Sequence, residues 1–174
     1  IFGGQLYQST SSGTAIRIGT VGTGLPTATG QTISNLPGFP ATGSPHSFFL
    51  ADLSSSIAGM DTLYVADDGA GLLKYSLVAG SWSANGLLGA NADDYRGLTG
   101  VAANGSVTLY AIRDNGGGAD TLVTVTDTSG YNAVITGTVS TVATAATNTA
   151  LRSVALAPAP APACSELNAA QPDN

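Results

Sequence analysis

The fold is decided by one stretch of the sequence, Asp61-Thr62-Leu63-Tyr64-Val65-Ala66-Asp67-Asp68-Gly69-Ala70-Gly71-Leu72-Leu73-Lys74-Tyr75-Ser76-Leu77. Two runs rich in Leu, Val and Tyr, residues 62–67 and 71–77, flank a turn that contains Asp68 and Gly69. Apolar runs of this length separated by an Asp-Gly pair predict two antiparallel strands joined by a hairpin. Further Asn-Gly and Ser-Gly pairs divide the rest of the chain into similar runs, and helical periodicity is nearly absent. The sequence therefore predicts an all-β protein.

The Leu-Tyr pair within this stretch occurs three times. The copies are Leu6-Tyr7, Leu63-Tyr64 and Leu109-Tyr110, so the spacings are 57 and 46 residues. Each pair is followed by a turn and two further predicted strands, the last of which lies around 32–36, 82–88 and 134–142 in the three copies. A more apolar strand precedes two of the pairs, at 47–51 and 96–102, and residues 151–157 are a third copy of that preceding strand. Internal repetition of this kind indicates a repeat architecture.

Four strands in each repeat of roughly 40 to 50 residues are typical of the blades of a β-propeller. The repeat region, 1–157, is predicted to hold blade A at 5–36, completed by the strand 151–157, blade B at 47–90 and blade C at 96–142. An Ala/Pro spacer and a polar tail follow at 158–174. Twelve strands make three blades, whereas closed propellers have about four to eight. We therefore expect a partial ring that assembles into a larger one; a curved β-sandwich with incidental repeats is the alternative.

The composition excludes several classes of protein. Only 9% of the 174 residues are charged, the net charge is -6, and Lys and Arg together number 5. Nucleic-acid binding depends on clustered basic residues and is therefore excluded as a function, and anionic membrane surfaces are disfavoured for the same reason. No apolar run is long enough to form a membrane span. The neutral polar composition predicts a secreted, extracellular protein.

Two features of the chain bear on its partners. Cys164 is the only cysteine, so an internal disulfide is excluded and a bond to another chain stays open. The sequence begins at Ile1 without a start Met or a basic signal segment and runs directly into a predicted strand. We expect either a homo-oligomer or a piece of a longer secreted precursor, whose removed segment would supply the missing blades; simple truncation is the alternative.

Three segments resemble the repeat region of large secreted bacterial multidomain proteins. They are Asp-Thr-Leu-Tyr-Val-Ala-Asp-Asp at 61–68, Tyr-Arg-Gly-Leu-Thr-Gly at 95–100, and residues 146–158. In that family propeller-like repeats stand alone or precede other extracellular modules, including nuclease-type ones. The resemblance covers nearly all of the chain up to Pro158, but the family usually has Phe-Arg-Gly where this chain has Leu-Arg-Ser at 151–153. The resemblance implies a propeller-like architecture, and no catalytic residue is carried over from it.

Three cationic side chains lie at matching positions in the predicted first strands: His46, Arg96 and Arg152. If they point toward the axis of the ring at one face, they form a partial positive rim that binds a carboxylate, sulfate or phosphate. The alternative is that each arginine donates hydrogen bonds to carbonyl groups between blades.

Acidic residues suggest a calcium site. The candidate ligands are Asp67 and Asp68, together with Asp114 and Asp120 on either side of a Gly-rich loop. Calcium binds six to eight oxygen ligands, which such a loop could provide in part. The alternative is that these carboxylates cap turns and strand ends. No other cofactor is predicted.

Catalytic motifs are weak. His46 is the only histidine, no Gly-x-Ser-x-Gly motif is present, and a zinc site is excluded with one His and one Cys.

Asn104 begins an Asn-Gly-Ser glycosylation motif. Three aromatic residues could stack on sugars or simply pack at sheet edges: Trp82, Tyr95 and Tyr131.

The sequence therefore predicts a non-catalytic secreted module with a binding or structural role, which completes its fold by oligomerisation or with another chain. The alternative function is an extracellular phosphoester or other hydrolase with its site at the axial channel, built from the aligned cations and the Asp-rich turns.

Overall fold

In the residues that the structure describes, eleven β-strands form three antiparallel sheets, and one short 3-10 helix lies at Asn91–Asp93. The computed structural model describes residues 1–13, 16–115 and 118–157. The first sheet contains β1 (Tyr7–Ser9), β2 (Ile18–Val21) and β3 (Ile33–Asn35). The second contains β4 (Pro45–Ala51), β5 (Thr62–Asp67), β6 (Gly71–Val78) and β7 (Ser81–Leu88), and the third contains β8 (Tyr95–Ala103), β9 (Ser106–Arg113), β10 (Thr121–Asp127) and β11 (Ser140–Thr144). Within these residues there is no α-helix, and the prediction of an all-β protein is confirmed.

Within each sheet, the strands follow one another in chain order, so hairpin turns set the topology. The strands β8 and β9 meet at Asn104 and Gly105, whose φ angles are 52° and 74°. Two consecutive residues with positive φ are what a type I′ hairpin requires, and its twist matches that of the flanking strands. Asn adopts this conformation more readily than other residues with a side chain. The hairpin predicted from this Asn-Gly pair is therefore found.

The second sheet lies between the other two, and its strand β5 is buried on both faces. All six residues of β5 are buried. Successive side chains of a strand point to opposite faces, so Leu63 packs in a cluster with Ile18 of the first sheet, whereas Tyr64 packs in another with Leu109 of the third. Because both faces are covered, the stretch 62–67 is apolar almost throughout.

The three Leu-Tyr pairs occupy equivalent places in the three sheets. Tyr7 packs toward the second sheet, where its ring centroid lies 6.4 Å from that of Phe48. Tyr64 packs toward the third sheet. Leu109 faces the second sheet, so the alternation along β9 directs Tyr110 to the opposite face. In each sheet, the tyrosine of the pair therefore points toward the position of the next sheet along the chain.

A buried ion pair connects the second and third sheets. The side chains of Lys74 in β6 and Asp127 in β10 are both fully buried, and Lys74 Nζ lies 2.8 Å from Asp127 Oδ2. The same ammonium group donates to Ser129 Oγ at 2.7 Å and to the Gly130 carbonyl at 2.6 Å. An ammonium group has three donors, and here each has an acceptor.

The carboxylate of Asp127 is equally well supplied with donors. It accepts hydrogen bonds from the Tyr64 hydroxyl at 2.7 Å, the Ser129 N–H at 3.0 Å and the Thr136 N–H at 3.1 Å. Burial by itself raises the pKa of this carboxyl, but hydrogen bonds from Lys74, Ser129 and Tyr64 outweigh it and hold the pKa of Asp127 well below its ordinary value. Asp127 also raises the pKa of Tyr64, in addition to the larger effect of burial. The Asp127 carboxyl therefore stays ionised beside Lys74.

Two predicted strands are not found where the sequence places them. Residues 151–157 form no strand, and the first sheet has three strands instead of the predicted four. The Leu151 N–H donates to Asp120 Oδ2 at 2.7 Å, which attaches the start of this segment to the third sheet. The last strand of blade C, predicted around 134–142, is instead β11. The Ile135 N–H donates to the Asn85 carbonyl of β7, which holds the preceding stretch against the second sheet.

Removing either partner of the buried pair should destabilise the protein strongly, because an unpaired charge is left inside. We expect Lys74→Met and Asp127→Asn each to lower the free energy of unfolding by about 3–5 kcal/mol. The double variant should lose less than the sum of the two, since the second substitution removes a group that is already unpaired. Urea denaturation of the native protein, the two single variants and the double variant measures the coupling energy between Lys74 and Asp127. Losses that simply add would contradict a direct interaction.

The same pair predicts an acid dependence of stability. A carboxyl whose pKa is depressed in the folded protein stabilises it above the unfolded pKa of about 3.9, and this contribution is lost as the pH falls below that value toward the folded pKa. The difference in unfolding free energy between the native protein and Asp127→Asn should therefore be largest at pH 7 and shrink below pH 4. Urea denaturation at pH 7, 4 and 3 tests this, and a constant difference would refute it.

Candidate functional site

Charged side chains gather at one rim of the second and third sheets. At this rim β4 and β8 begin, with His46 and Arg96 as their second residues, and β5 and β9 end, just before Asp68 and Asp114. Antiparallel pairing brings the start of one strand beside the end of its neighbour, and β4 and β8 also lie side by side. We refer to His46, Asp68, Arg96 and Asp114 as the rim ladder.

The rim ladder alternates cationic and anionic groups across the two sheets. Asp68 lies between His46, with Nε2 to Oδ2 at 3.8 Å, and Arg96, whose Nε donates to Oδ1 at 2.7 Å. A terminal guanidinium nitrogen of Arg96 also pairs with Asp114. Asp114 directly follows β9, the strand beside β8 in the third sheet. The hydrogen bond to Asp68 is the largest cause that raises the pKa of Arg96, which therefore stays charged. The side chains in the rim ladder are about a quarter to a third exposed.

The predicted cationic rim is only partly assembled in the structure. His46 and Arg96 are brought together at Asp68, but Arg152 is exposed and makes no ion pair with a residue in the described ranges. Arg96 donates to two carboxylates, so an incoming anion would have to compete with both. Anion binding at these three residues stays a prediction. What the geometry shows directly is an ion-pair contact between two sheets.

The acidic residues considered for calcium already accept hydrogen bonds within the fold. Asp67 accepts from the backbone N–H groups of Ser44 and Gly69, each at 2.8 Å, which is the turn-capping role. Asp120 accepts from Leu151, and Asp68 and Asp114 pair with Arg96. Among the residues with described positions, no three His, Cys, Asp or Glu side chains are grouped as a metal site would require. Calcium binding stays a prediction.

Parts of the sequence interpretation fall outside the described ranges. They are Gly116 and Gly117 of the Gly-rich loop, the spacer and tail at 158–174, and Cys164.

Asn104, the first residue of the glycosylation motif, is exposed in the hairpin turn between β8 and β9. Tyr95 is fully buried and Trp82 is 7% exposed, so these two rings pack inside instead of forming a sugar-stacking surface.

Sequence reasoning missed the buried Lys74–Asp127 pair. The available signal was the position of Lys74, the only lysine of the chain, within an apolar strand between Leu73 and Tyr75. A lysine in such a run is fully buried only when it is paired. Its partner could not be identified in the sequence, because Asp127 lies in another sheet, 53 residues further along the chain.

Comparisons with known proteins found no match to this chain. No family model matches the chain, and neither a curated protein nor a solved structure is significantly similar to it. No pocket is found on the part of the chain that the structure describes. In the same residues no helix is long and apolar enough to cross a membrane.

The rim ladder should contribute modestly to stability and in a salt-dependent way. Partly exposed ion pairs are worth about 0.2–1 kcal/mol each and are screened by salt. We expect Arg96→Met to lower the unfolding free energy by about 1 kcal/mol at low ionic strength, and by clearly less in 1 M NaCl. Asp52→Asn is the control, because Asp52 is exposed and forms no ion pair with a described residue, and it should change stability by less than about 0.5 kcal/mol. Urea denaturation at both salt concentrations decides; a loss that salt does not reduce would contradict an electrostatic role.

Proposed function

We propose that this protein is a non-catalytic, secreted structural module of the β-propeller type. Its three sheets are blades, and it completes a larger ring by associating with further copies of itself. Support comes from the order of the strands within each sheet and from the stacking of the first, second and third sheets in chain order. The four-stranded meander of the second and third sheets is the strand arrangement of a propeller blade.

The observation that carries the proposal is the uncovered face of the third sheet. We define the open face as six side chains that point away from the second sheet, namely Thr99, Val101, Thr108, Tyr110, Thr124 and Thr126. Ile112 points the same way but is buried, at the end of the face where Ser153 lies against Gly97. Val101 is 45% exposed, and Tyr110 and Thr124 are partly exposed. Apolar and aromatic groups of this kind on a sheet face indicate a surface that another element covers.

The strand register shows that the open face of the third sheet corresponds to the face of the second sheet against which the third sheet packs. In the second sheet, Tyr64 lies opposite Lys74; in the third, Tyr110 lies opposite Thr124. Tyr64 is 1% exposed because the third sheet packs against it. Tyr110 has the same position in its own sheet and lacks a comparable neighbour among the described sheets. A further sheet of the same kind would cover it as the third sheet covers Tyr64.

A secreted location is supported by the composition and by the resemblance of the repeats to those of large secreted bacterial proteins. Only 9% of residues are charged, and most of the polar side chains are neutral ones such as Ser, Thr and Asn. A structural role agrees with the way the charges are used. Lys74, Arg96 and Asp127 each form contacts between two sheets.

Association through the open face can be tested by sedimentation equilibrium. We expect the native protein to have a mass that is a multiple of 17.1 kDa. Tyr110→Asp should shift the mass to that of a single chain, because it places a charge in an apolar contact. The matched control is Val134→Asp, which changes an apolar residue that is 65% exposed and lies off the open face.

Circular dichroism establishes whether both variants are folded. A native protein that sediments as a single chain at every concentration would overturn the proposal. Equal dissociation by the two substitutions would also overturn it, since the open face would then have no special role.

A further inference from the structure

Residues 151–157 lie where the first strand of a further sheet would begin. A Cβ added to Gly97 of β8 would lie 3.2 Å from the Cα of Ser153, so the segment lies against β8 at this residue. In the second sheet, the residue equivalent to Gly97 is Ser47, whose hydroxyl donates to the Leu98 carbonyl of β8 at 3.3 Å. The segment therefore approaches β8 as β8 approaches β4, but it has no strand partner among the described residues.

In the part of the chain that the structure describes, the first sheet lacks a strand at the edge formed by β1. The strand β1 is at its edge, whereas the equivalent strands β5 and β9 are each flanked on both sides. The N–H groups of Leu6 and Thr10 donate toward the β2 side, to Gly24 and Arg17. Because alternate residues of an antiparallel strand bond to opposite sides, the backbone groups of Tyr7 and Ser9 point to the free edge. One end of the protein thus offers a strand, and the other end lacks one.

The rim ladder predicts where the cationic residue of this segment would go. Arg152 matches Arg96 in the repeat, and Asp114 matches Asp68. Arg96 reaches back to Asp68 of the preceding sheet at 2.7 Å. An ordered strand at 151–157 would therefore direct Arg152 to Asp114, which continues the alternation of charges by one step. Surface complementarity of this kind favours one orientation of the segment.

We propose that residues 151–157 of one copy pair with β1 of a second copy, so that the first sheet of the second copy covers the open face. The inference rests on the proposed function and specifies its geometry, which is head to tail. In this pairing residues 151–157 take the place of β8 and β1 takes the place of β9. The register of the β8–β9 pair then puts Val154 opposite Gln8 and Ser153 opposite Ser9. Two copies of three sheets make six blades, within the range of closed propellers of about four to eight, and a closed head-to-tail contact stops at the dimer.

A cross-link between two different copies tests this register. Gln8 and Val154 would form a non-hydrogen-bonded pair with a Cα separation of about 4.5 Å, which a disulfide can span. In a Cys164→Ser background, Gln8→Cys and Val154→Cys are made in separate, differently tagged chains, which are mixed and oxidised with copper phenanthroline. We expect a disulfide-linked dimer of the two tags on a non-reducing gel.

The matched control replaces Gln8→Cys with Ser9→Cys, whose side chain points to the other face of β1 and should give little cross-link. A mixture that sediments as an assembly but shows no cross-link between Gln8→Cys and Val154→Cys chains overturns the head-to-tail geometry and leaves the proposed function standing. An intrachain disulfide in a monomeric double variant, Gln8→Cys with Val154→Cys, means that the chain closes on itself, and this overturns both. Equal cross-linking by Ser9→Cys overturns the register.

Discussion

A sheet with apolar side chains on both faces must be covered on both, and the arrangement of this protein follows from that constraint. The second sheet satisfies it, because Leu63 faces the first sheet and Tyr64 faces the third. The outer sheets satisfy it on one side only. Burial of apolar area contributes roughly 25 cal/mol per Å², so the partly exposed Tyr110 and the 45% exposed Val101 leave stabilisation that a covering sheet would supply. The proposed assembly is the same packing continued past the end of the third sheet.

Polar contacts connect the second and third sheets at two places, the Lys74–Asp127 pair and the rim ladder. Lys74 and Asp127 are fully buried, and each of the ammonium's three donors has an acceptor. Replacing such a pair with apolar groups can be neutral, whereas breaking it is costly. The equivalent position in the third sheet is Thr124, which is uncharged and needs no buried partner. The Lys74–Asp127 pair therefore occurs only between the second and third sheets among the described residues. The residue types of the rim ladder, in contrast, recur at equivalent positions of the repeat.

Much of the fold could be predicted because its signals are local. The Asn-Gly pair at 104–105 determines its hairpin, and the Leu-Tyr repeat identifies the equivalent strands of three sheets. The predictions failed where distant contacts decide. The Ile135 N–H bonds to Asn85 of the second sheet and displaces the predicted strand at 134–142, and residues 151–157 lack the partner strand they would need. At the rim, the repeat alignment located His46 and Arg96, but it could not show that Asp68 and Asp114 neutralise the arginine.

Hydrogen exchange at β1 gives the most direct test that a second copy completes the first sheet. The amide groups of Tyr7 and Ser9 point to the free edge, whereas those of Leu6 and Thr10 are bonded within the chain. At protein concentrations where the ring is formed, the amides of Tyr7 and Ser9 should be protected, and this protection should be lost on dilution while Leu6 and Thr10 stay protected. Rapid exchange of Tyr7 and Ser9 at every concentration would contradict the assembly.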